Sequence, residues 1–134
     1  MTIYAATGLD PVATNAFAHL FQALGDGSRL AVLQHLASGE HRVRDLVEHL
    51  GLAQSTVSAN VSFLAECGLV EARVEGRSTW YALARPAPLA ALILAAEQLL
   101  ESTGSRHSLC VHLTAGAGHP SGTTIEEGAD GRRA

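Results

Sequence analysis

The chain has 134 residues, a length that suits one domain with a tail. Hydrophobic residues make up 47% of the chain and aromatic residues only 4%, so a core built from Leu, Val and Ala, and hence from helices, is expected. The formal net charge of -4 excludes a protein that relies on an indiscriminately basic surface. All nine basic side chains are Arg, and a guanidinium group can bind a phosphate through two hydrogen bonds at a defined position.

Cysteine usage and hydropathy narrow the class of protein further. The two cysteines, Cys67 and Cys110, are too few for a disulfide scaffold. The N-terminus lacks the basic segment of a signal peptide, and the longest apolar run, residues 89–96, is far shorter than a membrane span. From these two features we expect a cytoplasmic protein with reduced cysteines. Because no nucleophile elbow, phosphate loop or clustered acid pair is visible, we also expect that the protein is not an enzyme.

The first half of the chain is predicted to form three helices. Residues 1–11 are expected to be a flexible leader, and apolar residues then recur at helical spacing from Val12 up to Gly25. Asp26 and Ser28 can cap a second helix that ends near residue 38. A third helix covers about residues 43–50, where a glycine follows as the C-cap.

The period of the pattern then changes from helical to extended. A fourth helix is predicted over residues 54–66, and strands over residues 69–74 and 78–83 flank a glycine-containing turn. Two prolines open a last helix over residues 86–102, whose apolar stripe is too wide for a surface helix. Residues 105–134 are expected to form a partly disordered tail.

This order of elements predicts a winged helix-turn-helix protein. The fold is mainly α with a two-stranded β-hairpin as the wing, in the order α1-α2-α3-α4-β1-β2-α5. We expect a single DNA-binding and dimerisation domain over residues 12–104. A domain this small has a marginal core, so a homodimer joined through its first and last helices would bury more apolar surface. Such a dimer would place two recognition helices about one DNA turn apart.

One face of the fourth helix carries small and polar side chains that suit the major groove, because short hydroxyls and an amide can approach base edges without steric obstruction. Arg77, at the tip of the wing, is predicted to contact the minor groove or a phosphate. Arg42 and Arg44, which open the third helix, are predicted phosphate contacts. The expected partner is therefore double-stranded operator DNA. The predicted contacts on the fourth helix are Gln54, Ser55, Thr56, Ser58, Ala59 and Ser62.

Six short segments occur along the chain in the order found in a known repressor family. They are Phe21-Gln-Ala-Leu-Gly-Asp-Gly-Ser-Arg-Leu30, Val43-Arg-Asp-Leu, Gln54-Ser-Thr-Val-Ser58, Leu64-Ala-Glu-Cys-Gly-Leu-Val70, Glu75-Gly-Arg77 and Trp80-Tyr-Ala-Leu83. Together they resemble the ArsR/SmtB family of metal-responsive winged helix-turn-helix repressors. The resemblance covers about residues 13–103. It implies a dimeric repressor that releases its operator when an inducer binds.

Within that family, the two cysteines resemble those of the CmtR-type cadmium and lead sensors. The resemblance implies a metal bound by two thiolates of the recognition helix and one from the C-terminal tail of the partner subunit. Cys67 and Cys110 match two of these positions, whereas the third is Phe63, which cannot ligate. The thiolate pair of arsenic-type members would fall at Arg42 and Arg44 and is absent.

The chemistry of the residues points to a thiophilic inducer. Thiolates select soft ions such as Cd(II), Pb(II), Zn(II) or Cu(I), which makes Cys67 and Cys110 the predicted ligands. His107 and His112 lie near Cys110 and could complete a three- or four-coordinate site. The expected inducer is a divalent metal ion, with cadmium, lead and zinc ranked ahead of nickel and copper.

Four further histidines lie in the predicted helical region on separate helices and show no i, i+4 spacing. Each is expected to be an ordinary surface or core residue rather than a ligand. They are His19, His35, His41 and His49.

The combined prediction is a transcriptional repressor that dissociates from operator DNA when a thiophilic metal ion binds. One alternative keeps the fold and lets Cys67 and Cys110 respond to oxidation or persulfide by forming a disulfide. A second alternative is a winged-helix protein-interaction module that has lost DNA binding, which the acidic net charge allows.

Overall fold

The computed structural model describes residues 8–109 and Leu113. Most of the predicted leader and tail, namely residues 1–7, 110–112 and 114–134, lies outside the described residues. The chain divides into two compact units, Met1–Ala84 and Arg85–Ala134. The elements are α1 (Pro11–Leu24), α2 (Gly27–Leu36), α3 (Val43–Leu50), α4 (Gln54–Glu66), β1 (Val70–Glu75), β2 (Ser78–Leu83) and α5 (Pro86–Ser102).

The predicted order of elements is confirmed, and the fold is a winged helix-turn-helix. Helix α4 follows α3 after a three-residue turn, and β1 and β2 form an antiparallel hairpin whose register pairs Val70 with Leu83 and Glu75 with Ser78. Strand β1 begins at Val70, one residue later than predicted, because Leu69 is still bonded to the end of α4, its N–H donating to the carbonyl of Leu64. Among the described residues, no helix is long and apolar enough to cross a membrane.

The core of the first unit is built on α2 and α4. The predicted stripe of α4 is confirmed, since Val57, Val61 and Leu64 are fully buried. Val32 and Leu33 of α2 are fully buried as well. Each of these side chains leaves water on folding and contributes about 1.5–3 kcal/mol, which holds α4 firmly on the rest of the unit.

Two local devices fix the ends of the helices. Asp26 caps α2, its carboxylate accepting a hydrogen bond from the backbone N–H of Arg29 at 3.0 Å. Gly51 ends α3 in the left-handed conformation, with φ of 69°, and its N–H donates to the carbonyl of Val47. A residue with a Cβ would be strained there, so the glycine sets the tight turn that leads into α4.

A buried polar chain joins α4 to α2. Asn60 is 6% exposed, and its amide donates to the hydroxyl of Ser28 at 3.0 Å. The Ser28 hydroxyl donates in turn to the Asp26 carboxylate, and this bond is the largest cause of the lowered pKa of Asp26. Since a buried amide without partners is costly, this chain helps to fix the position of α4 on α2.

Helix α1 has the predicted helical periodicity, but much of its apolar stripe remains exposed. Phe17 is 64% exposed and Phe21 is 53% exposed, whereas Ala23 is buried. The guanidinium of Arg29 holds the end of the helix, donating to the carbonyls of Gln22 and Ala23 at 2.7 and 2.9 Å. The two exposed phenylalanines can therefore pack against an apolar surface of another molecule.

The apolar stripe of helix α5, in the second unit, is also partly buried and partly exposed. Leu89, Ala90 and Ile93 are buried, whereas Leu99 and Leu100 near the end of the helix are exposed. The predicted wide stripe is therefore covered only along its first half.

Candidate DNA-binding surface and metal-ligating side chains

The predicted DNA-reading face of α4 is accessible along its whole length. Four of its six residues are exposed and two, Thr56 and Ser58, are half-buried. The exposed residues are Gln54, Ser55, Ala59 and Ser62. Because the opposite face of α4 supplies the core, this small, polar surface can enter a major groove without disturbing the fold.

The three predicted phosphate-contacting arginines come together beside this helix. Arg42, Arg44 and Arg77 line one surface groove, together with residues at the start of β2. A neighbouring groove is lined by Arg42, Arg44 and Gln54, so it joins the arginines to the first residue of α4. The exposed guanidiniums of Arg44 and Arg77 give the first groove a local positive charge on a chain whose net charge is negative, whereas Asp45 and Glu48 add negative charge to the second.

The three arginines are not equivalent. Arg44 and Arg77 are exposed, whereas Arg42 is half-buried and bonds the carboxylate of Asp45 through two guanidinium nitrogens at 2.9 and 3.0 Å. Arg42 also lies over the ring of Trp80, 4.8 Å from its centroid. Its hydrogen bonds hold the pKa of Asp45 well below the ordinary range. Arg42 therefore anchors the start of α3 against the wing, a role that sequence reasoning missed.

The wing is tied to the segment before α3 by exposed charges. Arg73 of β1 bonds the carboxylate of Glu40 at 2.7 and 3.0 Å and also pairs with Glu75. The backbone of His41 pairs with Tyr81 of β2 through two hydrogen bonds of 3.0 and 2.8 Å. These links set the position of the hairpin beside α3 and so support the arginine groove.

Cys67 lies at the C-terminal end of α4 and is half-buried. Its sulfur lies 3.9 Å from Nδ1 and 4.0 Å from Nε2 of His19 on α1. Burial, followed by the negative charge of Glu66, raises the pKa of the thiol. The structure thus places a nitrogen donor beside the predicted thiolate, although His19 was not expected to be a ligand.

Phe63, which occupies the third CmtR-type ligand position, has a packing role. The ring of His19 meets it edge-on with centroids 5.3 Å apart, and the guanidinium of Arg29 lies 4.6 Å from its centroid. Phe63 therefore holds His19 close to the sulfur of Cys67. No sequence signal pointed to this pair, because His19 and Cys67 are 48 positions apart.

The predicted tail ligands are placed only in part. His107 is exposed, in the segment that follows α5. Cys110 and His112 lie outside the described residues.

Three of the histidines that were expected to be ordinary surface or core residues lie close together in the structure. His35, His41 and His49 each offer a ligand nitrogen, and these atoms lie within 4.8 Å of one another. His41 is not on a helix, since it lies in the segment between α2 and α3. Burial, then the charges of His41 and His49, lower the pKa of His35, which favours its neutral form. These residues are called the histidine cluster below.

Comparison with known proteins agrees with the fold. Residues 26–72 match the family described as bacterial regulatory protein, arsR family. A Streptomyces lividans protein named "Probable mercury resistance operon repressor" is 34% identical over 96 residues, which are 72% of this chain and 76% of that protein. The HTH-type transcriptional regulator CmtR of Mycobacterium bovis is 46% identical over 70 residues, 52% of this chain and 59% of that protein.

A solved structure shows the same architecture. It is the homodimeric winged helix-turn-helix DNA-binding domain of a possible ArsR-family transcriptional regulator from Mycobacterium bovis, determined by NMR in solution. The match has a TM-score of 0.59 and 36% identity, and covers 72% of this chain and 92% of that one. From the order of its elements, its accessible fourth helix and these relatives, the chain belongs to the ArsR family and is a winged helix-turn-helix transcriptional regulator.

Proposed function

We propose that the protein is a homodimeric repressor that binds operator DNA through α4 and the arginine groove and releases it when a thiophilic divalent metal ion binds. The observation that carries the proposal is the position of Cys67, a soft donor at the end of the DNA-reading helix with His19 3.9 Å away. An ion bound there acts directly on the element that contacts DNA. Two relatives bear the names of a mercury resistance operon repressor and of CmtR, which agrees with this chemistry.

The donor set fits a soft or borderline ion. Cys67 supplies a thiolate once the metal displaces its proton, and His19 supplies an imidazole nitrogen in place of the missing ligand at Phe63. The tail donors Cys110, His107 and His112 would complete the coordination. The inducers expected from these donors are cadmium, lead and zinc, ahead of nickel and copper.

The metal proposal is favoured over a thiol-redox switch by the environment of the sulfur. Redox-sensing cysteines are exposed and have a lowered pKa, because the thiolate is the reactive form. Cys67 is half-buried and its pKa is raised. A divalent cation overcomes this by stabilising the thiolate directly, whereas a mild oxidant does not.

Dimerisation is proposed to use the exposed apolar residues of α1 and α5. Leu99 is 67% exposed, so Leu99→Asp should leave the subunit folded but break the dimer, because a carboxylate buried in an apolar interface costs several kcal/mol. Sedimentation analysis is expected to find monomer. Val74→Asp is the matched control, since Val74 is 74% exposed on the wing and its substitution should leave the dimer intact. A dimer that survives both Leu99→Asp and Phe17→Asp would contradict the proposed interface.

The regulatory proposal is tested on DNA from the promoter of the protein's own gene. Binding is measured by fluorescence anisotropy while Cd(II), Pb(II), Zn(II), Ni(II) and Cu(II) are titrated in turn. An allosteric coupling of about 1–3 kcal/mol would weaken binding roughly 5- to 150-fold for the cognate ion. If no ion changes the affinity, metal-induced release is excluded. If the protein does not bind this DNA at all, an operator in its own promoter is excluded.

A further inference from the structure

The histidine cluster brings three imidazoles together from three segments of the first unit. His35 lies in the last turn of α2, His41 in the segment that follows, and His49 in the last turn of α3. The ring centroid of His35 lies 4.5 Å from that of His41 and 4.9 Å from that of His49. Among the described residues, these three form a group whose ligand atoms all lie within 4.8 Å of one another.

One ring of the cluster has its protonated nitrogen fixed by a backbone partner. Nδ1 of His41 lies 2.8 Å from the carbonyl oxygen of Gly39, which can only accept, so this nitrogen carries the proton. In the neutral ring, Nε2 then carries the lone pair. A backbone carbonyl bonded to the far nitrogen is the usual outer partner of a metal-binding histidine. The two backbone bonds between His41 and Tyr81 fix the position of the ring further.

The other two rings are close enough to share an ion after a local rearrangement. Nε2 of His35 lies 2.8 Å from Nδ1 of His49, a distance at which one nitrogen donates its proton to the other. Around a tetrahedral Zn(II), with Zn–N of about 2.0–2.1 Å, two ligand nitrogens are about 3.4 Å apart. Binding an ion between them therefore requires the bridging proton to leave, the two nitrogens to separate by well under 1 Å, and both rings to tilt so that their lone pairs converge on the ion. His49 is exposed, so an ion can reach the cluster from solvent.

We propose that His35, His41 and His49 form a second metal site that binds a borderline divalent transition-metal ion through three imidazole nitrogens. Imidazole suits zinc, nickel, copper(II) and cobalt, whereas the softer cadmium and lead prefer the thiolate of Cys67. Three protein ligands leave a further coordination position for water. The carboxylate of Asp45, which is paired with Arg42, also interacts electrostatically with His41.

The position of this site gives it a structural consequence. His35 and His49 join α2 to α3, and the backbone of His41 is paired with β2 of the wing. A bound ion therefore links the first helix of the helix-turn-helix to the helix before it, next to the segment that supports the wing. Because the unfolded chain does not hold the three rings together, the ion should raise the thermal midpoint of unfolding.

The test uses the untagged full-length protein with both cysteines replaced, Cys67→Ser/Cys110→Ser, and Co(II) as the probe. We expect one Co(II) per chain, with d–d absorption of a low-coordinate nitrogen and oxygen site and no sulfur-to-metal charge transfer. Adding His49→Gln should remove this absorption and the cobalt-dependent rise in the thermal midpoint. Circular dichroism without metal checks that the exposed substitution leaves the fold unchanged. His19→Gln and His107→Gln, each in the same cysteine-free background, are matched controls that should bind Co(II) as before.

The proposal is overturned if the cysteine-free protein binds no Co(II), or if His49→Gln and His35→Gln both bind it unchanged. Loss of binding in His19→Gln or His107→Gln, with His49→Gln unaffected, would also overturn it by placing the ion elsewhere. None of these results depends on operator release. The second site and the proposed inducer site can therefore fail independently of each other.

Discussion

Ser58→Glu is expected to reduce operator binding to the sequence-independent level while leaving a folded dimer. Ser58 is half-buried on the proposed DNA-reading face of α4, where a carboxylate would meet the acceptor-rich edge of the groove and the phosphates beside it. Loss of one base-edge contact costs about 1–3 kcal/mol, and a dimer carries the substitution in both half-sites, so the total is about 2–6 kcal/mol. Fluorescence anisotropy with promoter DNA, compared with an unrelated duplex, measures the effect.

Ser58→Gln separates charge from size in the same experiment. It adds almost the same volume as Ser58→Glu but no negative charge, so it should retain a measurable part of the binding. Unfolding by urea should give similar midpoints for both variants, because the buried stripe of α4 is untouched. Normal operator affinity in Ser58→Glu would mean that α4 does not read the groove.

Cys67→Ser is expected to keep operator affinity and to lose most of the response to Cd(II). A serine hydroxyl is a poor ligand for a soft ion, and the side chain lies at the end of α4, away from Gln54 and Ser55 at its start. The 5- to 150-fold weakening expected with metal should therefore fall to a factor close to one. Metal-titrated anisotropy gives the response, and ultraviolet absorption gives the sulfur-to-cadmium charge transfer, which should weaken in the variant.

Two further variants test the contributions of the other proposed ligands of the inducer site. Cys110→Ser should remove most of the response in the same way, whereas His19→Gln should weaken it while keeping the charge-transfer band, since both thiolates remain. A full response to Cd(II) in both cysteine variants would show that the inducer is sensed elsewhere.

Local signals along the sequence were sufficient to predict the secondary structure. Asp26 as the N-cap of α2, Gly51 at the end of α3 and the change of period at residue 70 each act within a few positions. Helix ends and strands are determined by hydrogen bonds between residues close in sequence, so such patterns predict them well. The buried face of α4 was predicted for the same reason, because its apolar residues repeat at helical spacing.

Side-chain partners that are distant in sequence could not be predicted in this way. Periodicity marked the apolar stripe of α1 but could not say that Phe17 and Phe21 stay exposed in the subunit, because burial depends on which other elements cover the helix. Similarly, the sequence predicted Arg42 as a phosphate contact but could not predict that its guanidinium is bonded to Asp45 and packed on Trp80.

The sequence by itself determined the order of elements, the polar face of α4 and the family, all of which depend on local patterns or on ordered motifs. The tertiary structure alone decided which donors meet. His19 reaches Cys67 only because α1 packs near the end of α4 through Phe63 and Arg29. The histidine cluster forms only because the turn after α2 brings α3 back alongside it. Candidate ligand sets of this kind are properties of packing, since their residues share neither a helix nor a regular spacing.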